Sequence, residues 1–239
     1  MPLLDRFHPP LHGPRRWEGF HHSWATFIAQ QLNRGVLPSG YFAESEITLG
    51  PEMEIDVATL EFPGVGAGAG GTAIWAPSKP KISVPVDFAR LDSFEVRIYQ
   101  DLGGAELRAA VELVSPANKD RAGSRRTFAA KCAGYLRHGI GVVIIDVVTE
   151  PSANLHAELL KALEVTGRRA VWGSRTGLYA VAYRAVTIRK RPRVEAWPQA
   201  LALGANLPTM PLWLSMDLSV PLRLEESYLN TCEALRISA

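Results

Sequence analysis

Three carboxylates interrupt segments that otherwise have the composition of buried strands. Asp56 lies in EIDVATL, Glu112 in AAVELVS and Asp146 in VVIIDVV. Taking an ionised carboxylate from water into a sheet interior is costly unless the group is paired, hydrogen-bonded or bound to a cation. One buried acid is often the structural partner of an arginine, but acids on neighbouring strands repel one another unless a metal ion or a proton lies between them. The three acids therefore point to a cation site.

Two of these acids occupy strand positions that can converge. Period-two alternation puts Glu112 on one face of its strand with Ala110 and Val114, and Asp56 on one face of its own with Glu54 and Ala58. If the two strands are neighbours, Asp56 and Glu112 can share one divalent ion. Mg²⁺ or Mn²⁺ suits oxygen ligands of this kind.

A lysine on the following helix is placed to assist such a site. The pattern predicts a helix from Ser124, as its N-cap, to Leu136, with Lys131 within one turn of Phe128 and Tyr135 on the sheet-facing edge. A lysine held beside carboxylates orients water or stabilises the charge that develops on a phosphate. The alternative is a lysine whose stem packs on the protein while its ammonium stays solvated.

These residues need a sheet and a helix to position them. The strand, helix, strand order from Leu107 to Val148 is typical of a parallel crossover, so we expect an α/β or mixed α+β fold around a central sheet. Further elements are predicted as helices at 17–33, 154–163 and 222–235, and as strands at 41–49, 54–62, 73–75, 81–86, 94–100, 178–186 and 194–202.

Length and composition favour a single domain. The chain has 239 residues, of which 47% are hydrophobic and 21% charged, enough for one sizeable core. We expect one domain over 1–239, with an N-terminal arm at 1–16 and a flexible Gly/Ala-rich loop at 63–72. The GxGxxG pattern in that loop is not followed by a helix, which excludes a dinucleotide-binding interpretation.

Charge and cysteine content say little about a partner. The formal net charge of +2 does not indicate a general nucleic-acid or membrane binder. The two cysteines lie far apart in the sequence, which favours a reducing, cytoplasmic location. Because no apolar run is long enough to span a membrane, we expect no membrane partner. The histidines of the arm and first helix are interpreted as satisfied or solvated rather than as ligands. Two local basic clusters remain: Lys119 and Arg121 with Arg125 and Arg126, and residues 189–193, the latter interpreted as a solvated loop.

A resemblance rests on the segment Glu112-Leu-Val-Ser-Pro-Ala-Asn-Lys119. It resembles the ELLSPxNK signature of an uncharacterised bacterial family related to putative restriction-endonuclease-like proteins with the PD-(D/E)XK nuclease fold. The match covers most of the chain and is carried further by Arg16 to His21, Tyr41 to Glu46, Ile55 to Val57, Lys131, Tyr135, Gly139 and Val142 to Asp146.

The resemblance implies a restriction-endonuclease-like core, a central mixed sheet flanked by helices, with extra C-terminal strands and a helix. It implies that Asp56 and Glu112 are metal ligands, with the Leu113 carbonyl as a third ligand. Ile55 stands where relatives carry proline, and Val114 stands where a lysine is expected. In the relatives a lysine from the following helix substitutes, so the resemblance points to Lys131, with Lys119 as the other candidate. The auxiliary residues are Glu46, Asp146, Arg126 and Tyr135.

The sequence leaves three hypotheses. The leading one is a Mg²⁺- or Mn²⁺-dependent phosphodiesterase or nuclease, with nucleic acid bound through a local basic cluster. The second is a non-catalytic binding or regulatory module of the same fold. The third is a structural domain whose buried acids pair with Arg125 or Arg126. A homodimer stays open in each.

Overall fold

The structure, a computed structural model, describes residues 2–8, 17–48, 54–61, 76, 78–85, 106–165 and 177–237. For residues 18, 46–48, 54–61 and 85 it describes the backbone only. The predicted loop at 63–72 and the predicted strands at 73–75 and 94–100 lie outside the described residues, as does most of the arm.

Within these ranges the chain forms a mixed α/β fold. The helices are α1 (Trp17–Asn33), α2 (Pro116–Lys119), α3 (Ala122–Arg137), α4 (Leu155–Ala162) and α5 (Leu224–Ala234). The strands are β1 (Tyr41–Thr48), β2 (Glu54–Glu61), β3 (Ile82–Pro85), β4 (Glu106–Leu113), β5 (Gly141–Asp146), β6 (Tyr179–Ile188), β7 (Arg191–Ala200), β8 (Thr209–Trp213) and β9 (Ser219–Arg223).

A central mixed sheet organises the fold. Its strand order is β1-β2-β4-β5-β6-β7-β3, and β8 pairs with β9 in a separate two-stranded sheet. The β4 and β5 strands are parallel, whereas β1–β2, β2–β4, β5–β6, β6–β7 and β3–β7 are antiparallel. The crossover from β4 to β5 contains α2 and α3, which confirms the predicted strand, helix, strand unit.

Each face of the sheet is covered by its own set of helices. Val111 and Leu113 of β4 pack with residues of α1, α5 and the β8–β9 sheet in one core cluster. Ala110 and Val114 pack with residues of α3 and α4 in a second cluster. The alternation of adjacent residues between the two clusters follows from the pleat of the strand. The central mixed sheet flanked by helices is therefore confirmed.

Two predictions about element ends are wrong. Helix α3 begins at Ala122 with Arg121 at its N-cap, so Ser124 lies inside the helix instead of capping it. The last helix begins at Leu224 because the two residues before it complete β9. The helix end at Gly139 is confirmed, since this glycine has φ +76°, a value that glycine adopts readily.

None of the described helices is long and apolar enough to cross a membrane.

Candidate active site

A buried ion pair joins the sheet to α3. The Nζ of Lys131 lies 2.8 Å from Oε2 of Glu112, and their side chains are 16% and 1% exposed. Glu112 is the penultimate residue of β4. The carboxylate thus sits near the C-terminal edge of the parallel strand pair, with a fixed cation beside it.

The apolar stripe of α3 explains why Lys131 reaches the sheet. Phe128, Cys132 and Tyr135 are buried against the sheet in the second core cluster, which contains residues of α3 and α4 and is called the α3 cluster below. Residues three or four apart share one side of a helix, so Lys131 is held at the margin of this stripe. Its Nζ also lies 5.6 Å from the centre of the Phe128 ring, within the range of a cation–π contact. The predicted orientation of Lys131 is confirmed.

The strand register brings the predicted acids into one row of the backbone. Val57 pairs with Val111, and the next residues on the two antiparallel strands are Asp56 and Glu112. On the other side of β2, the pairs Ser45 with Val57 and Ile47 with Ile55 enclose Glu46 and Asp56. Positions 46, 56 and 112 therefore follow one another across β1, β2 and β4. The side chains at 46 and 56 lie outside the described part.

The Leu113 carbonyl, proposed as a third ligand, has a partner on α1. Nε2 of His21 lies 2.9 Å from the Leu113 oxygen. The His21 ring also lies 5.7 Å from the ring of Trp17, one turn earlier on the same helix. His21 thus ties α1 to the end of β4, next to Glu112. Sequence reasoning missed this role because helical spacing gives the side of the helix and not the partner.

A second buried ion pair lies at the end of β5. Lys119 Nζ lies 3.0 Å from Asp146 Oδ2, with side chains 1% and 0% exposed. The same ammonium donates to the Val148 carbonyl at 2.8 Å, and the Val148 amide donates to Asp146 Oδ1 at 3.1 Å. Burial raises the pKa of Asp146 to about 6, although the charge of Lys119 opposes that rise.

Helix α2 positions Lys119 through a local turn. Ser115 precedes Pro116 at the start of this helix, and the Asn118 side chain accepts the backbone N–H of Ser115 at 2.8 Å. This is a reciprocal capping arrangement that fixes the first turn. The segment from Ser115 to Lys119 therefore folds so that the Lys119 side chain is buried against the end of β5.

The remaining predicted residues have different surroundings. Tyr135 is fully buried in the α3 cluster, and Arg126 is exposed on α3. Arg125 donates to the Lys119 carbonyl at 3.1 Å. The buried acids Glu112 and Asp146 take lysines as their ionic partners, so the expected pairing with Arg125 or Arg126 is replaced by Lys131 and Lys119.

Among the described side chains, no group of three or more His, Cys, Asp or Glu residues is placed to hold a metal ion. The side chains of Glu46 and Asp56 are not among the described ones. The metal site predicted on Asp56 and Glu112 therefore stays a prediction.

No family model, curated protein or solved structure matches this chain.

Proposed function

We propose that this protein is a divalent-metal-dependent phosphodiesterase, a nuclease of the PD-(D/E)XK type, with Asp56, Glu112 and Lys131 at its centre. The observation that carries the proposal is the 2.8 Å contact between Lys131 and Glu112. A restriction-endonuclease-like site needs a lysine beside its second acid. The chain has Val114 at the usual position, and Lys131 supplies the ammonium from α3.

The donor set suits a hard cation. Mg²⁺ and Mn²⁺ prefer carboxylate and carbonyl oxygens, and Glu112, Asp56 and the Leu113 carbonyl are such groups. Asp56 and Glu112 stand next to each other in the register of β2 and β4. Glu46, on the far side of Asp56 in the β1–β2 ladder, is the auxiliary acid.

The bound ion would lower the pKa of a water molecule and polarise the scissile phosphate. Lys131 and Glu112 supply the electrostatic stabilisation of the transition state. The contact with Glu112 holds the ammonium in place, so that it can stabilise the negative charge developing on a phosphate oxygen. Water oxygen forms a bond to phosphorus, the bond to the leaving sugar oxygen breaks, and the water proton ends on that leaving oxygen.

Lys131 is the better of the two candidate lysines. Lys119 is held by Asp146 and by the Val148 carbonyl, and its side chain is 1% exposed. An ammonium that is bonded to a buried carboxylate and to a carbonyl stabilises the end of β5 and is poorly placed to bind a phosphate. Lys119 with Asp146 is therefore assigned a structural role that supports the site.

The second candidate function is a non-catalytic binding or regulatory module of the nuclease fold. It is favoured by the burial of Glu112, whose side chain is 1% exposed while its Oε2 contacts Lys131. A closed ion pair of this kind also occurs where the acid has only a structural role.

A cleavage assay separates these functions. Purified protein is incubated with labelled single- and double-stranded DNA and RNA while Mg²⁺ or Mn²⁺ is titrated. The nuclease proposal expects metal-dependent cleavage that is lost in Asp56→Asn, Glu112→Gln and Lys131→Met. It expects cleavage to be retained in Glu233→Gln and Lys161→Met, which change exposed residues on α5 and α4.

Cleavage that persists in Asp56→Asn and Glu112→Gln would come from a contaminant and contradict the nuclease proposal. Metal binding without cleavage of any substrate by any preparation would favour the binding module. Lys119→Met distinguishes the two lysines, because we expect a folded Lys119→Met variant to keep the metal-dependent cleavage that Lys131→Met loses.

A further inference from the structure

The hairpin of β6 and β7 carries a basic tip that lies far along the strands from the Lys131–Glu112 and Lys119–Asp146 ion pairs. The two strands are paired up to Ile188 and Arg191, and Arg189 with Lys190 forms the two-residue turn. All residues from Thr187 to Arg191 are exposed. We call residues 187–191 the basic tip.

Both basic residues of the turn adopt a backbone conformation that arginine and lysine rarely adopt. Arg189 has φ +50° and Lys190 has φ +62°. A two-residue hairpin turn with positive φ at both positions favours Asn-Gly, because other side chains are strained there. Strain of this kind concentrates at functional sites. The chain therefore keeps two cations at a position where Asn-Gly would be more stable.

The charge of the basic tip has no acidic partner among the residues that the structure describes. No ion pair joins Arg189, Lys190 or Arg191 to an acidic side chain within the described ranges. The other basic cluster differs, since Lys119 pairs with Asp146 and Arg121 lies 3.2 Å from Asp120. With a net charge of only +2 for the whole chain, the basic tip is a local concentration of positive charge.

We propose that the basic tip is a contact site for the phosphate backbone of duplex nucleic acid. A two-stranded β-ribbon fits the major groove of DNA, and exposed arginine and lysine side chains bind phosphates. Ile188, 43% exposed beside the basic residues, offers an apolar contact within the groove. The choice of nucleic acid over other polyanions rests on the proposed nuclease function.

The basic tip and Glu112 lie toward opposite ends of the strands of the central sheet. Glu112 pairs with Ile144, and Ile144 pairs with Val181 of β6. From Val181 the strand continues to Ile188, which corresponds to about 23 Å at about 3.3 Å per residue. This length equals about seven base-pair steps of B-form DNA. The contact therefore anchors a duplex away from the point of cleavage.

The test measures binding without cleavage. A fluorescein-labelled DNA duplex of about 20 base pairs is titrated with the protein in EDTA, and anisotropy is followed between about 50 and 200 mM KCl. The variant Arg189→Asn/Lys190→Gly removes two charges and installs the favoured turn. The control Lys79→Gln/Lys161→Gln removes two exposed charges elsewhere.

We expect the hairpin variant to bind more weakly and its slope of log K against log[KCl] to fall by about 2. The same variant should unfold at a higher Tm, so weaker binding cannot come from misfolding. The control should match the wild type in affinity and slope.

Unchanged affinity and slope in the hairpin variant, or an equal loss in the control, would overturn the proposal. So would loss of binding to phosphatidylserine vesicles in the hairpin variant while duplex binding is kept, because that result assigns the tip to a membrane surface. Because EDTA excludes metal-dependent cleavage, a failed nuclease assay leaves this result interpretable, and a failed binding test leaves the cleavage assay intact.

Discussion

Lys131 Nζ lies 2.8 Å from Glu112 Oε2, and the two residues come from α3 and from the end of β4. The acid lies on a central strand, where its side chain is 1% exposed, and the lysine lies in the middle of α3, the helix that leads from β4 to β5. This geometry puts a fixed cation beside a buried carboxylate at the C-terminal end of the parallel strands β4 and β5.

Replacing Lys131 by Met should destabilise the fold by about 3 kcal/mol, because a buried carboxylate loses its ionic partner. The double variant Glu112→Gln/Lys131→Met should lose less than the sum of the two single variants, since it leaves no unpaired charge. Urea unfolding of the four proteins measures this coupling. If the losses in unfolding free energy of the two single variants add up to that of the double variant, Glu112 and Lys131 do not interact. Lys161→Met serves as the surface control.

The pKa of Asp146 predicts a pH dependence of stability. Burial raises this pKa from 3.8 to about 6, so the folded state holds the proton more tightly than the unfolded state. The stability that protonation contributes is complete below pH 3.8 and is lost as the pH rises through about 6. The free energy of unfolding of the wild type should therefore fall relative to Asp146→Asn over this range.

Urea unfolding of both proteins at several pH values across that range measures the difference. A difference that stays constant, or that shifts in favour of the wild type as the pH rises, would contradict the assignment of the raised pKa to Asp146.

Removing His21 should loosen the end of β4. His21→Ala loses the contact to the Leu113 carbonyl at 2.9 Å, and we expect a loss of about 1 kcal/mol in unfolding free energy together with weaker Mn²⁺ binding. His22→Ala, which changes the exposed neighbour on the same helix, is the control. Equal effects of the two substitutions on metal affinity would show that the Leu113 carbonyl does not need His21.

Two glycines should respond in opposite directions to alanine. A Cβ at Gly141 would clash with the backbone carbonyl of Trp213, so Gly141→Ala should destabilise by about 3 kcal/mol. At Gly123, in the first turn of α3, a Cβ would meet no atom within 4 Å apart from the backbone of its own helix. Gly123→Ala should raise the stability by about 0.5 kcal/mol. Thermal unfolding of the two variants checks both, and a stable Gly141→Ala protein would contradict the packing of β8 against β5.

The sequence is most informative where a periodic pattern acts alone. The spacing of Trp24, Ile28 and Leu32 defines α1, whose bounds agree with the prediction. The stripe of Phe128 and Tyr135 places Lys131 toward the sheet, because positions one turn apart share a helix face. Local patterns of this kind are readable without knowing the fold.

Contacts between distant segments are not readable in the same way. The partner of Lys119 is Asp146, on the strand after the crossover, and the pairing depends on where α2 ends. The residue pattern does not predict the positions of β8 and β9, because each strand is short and contains a proline, Pro211 and Pro221, which is typical of loops and edge strands. The partner of His21 is a backbone carbonyl, which has no sequence signature, so the sequence predicts only that this histidine is satisfied or solvated.

Calorimetric titration of Mn²⁺ into the metal-free protein tests the central claim most directly, because it measures the site without a substrate. We predict saturable binding in the wild type, a loss of at least about tenfold in affinity in both Asp56→Asn and Glu112→Gln, and retained binding in Lys131→Met and Glu233→Gln. Binding that is absent from the wild type, or that is equal in Asp56→Asn, Glu112→Gln and Glu233→Gln, would contradict a metal site on these two acids.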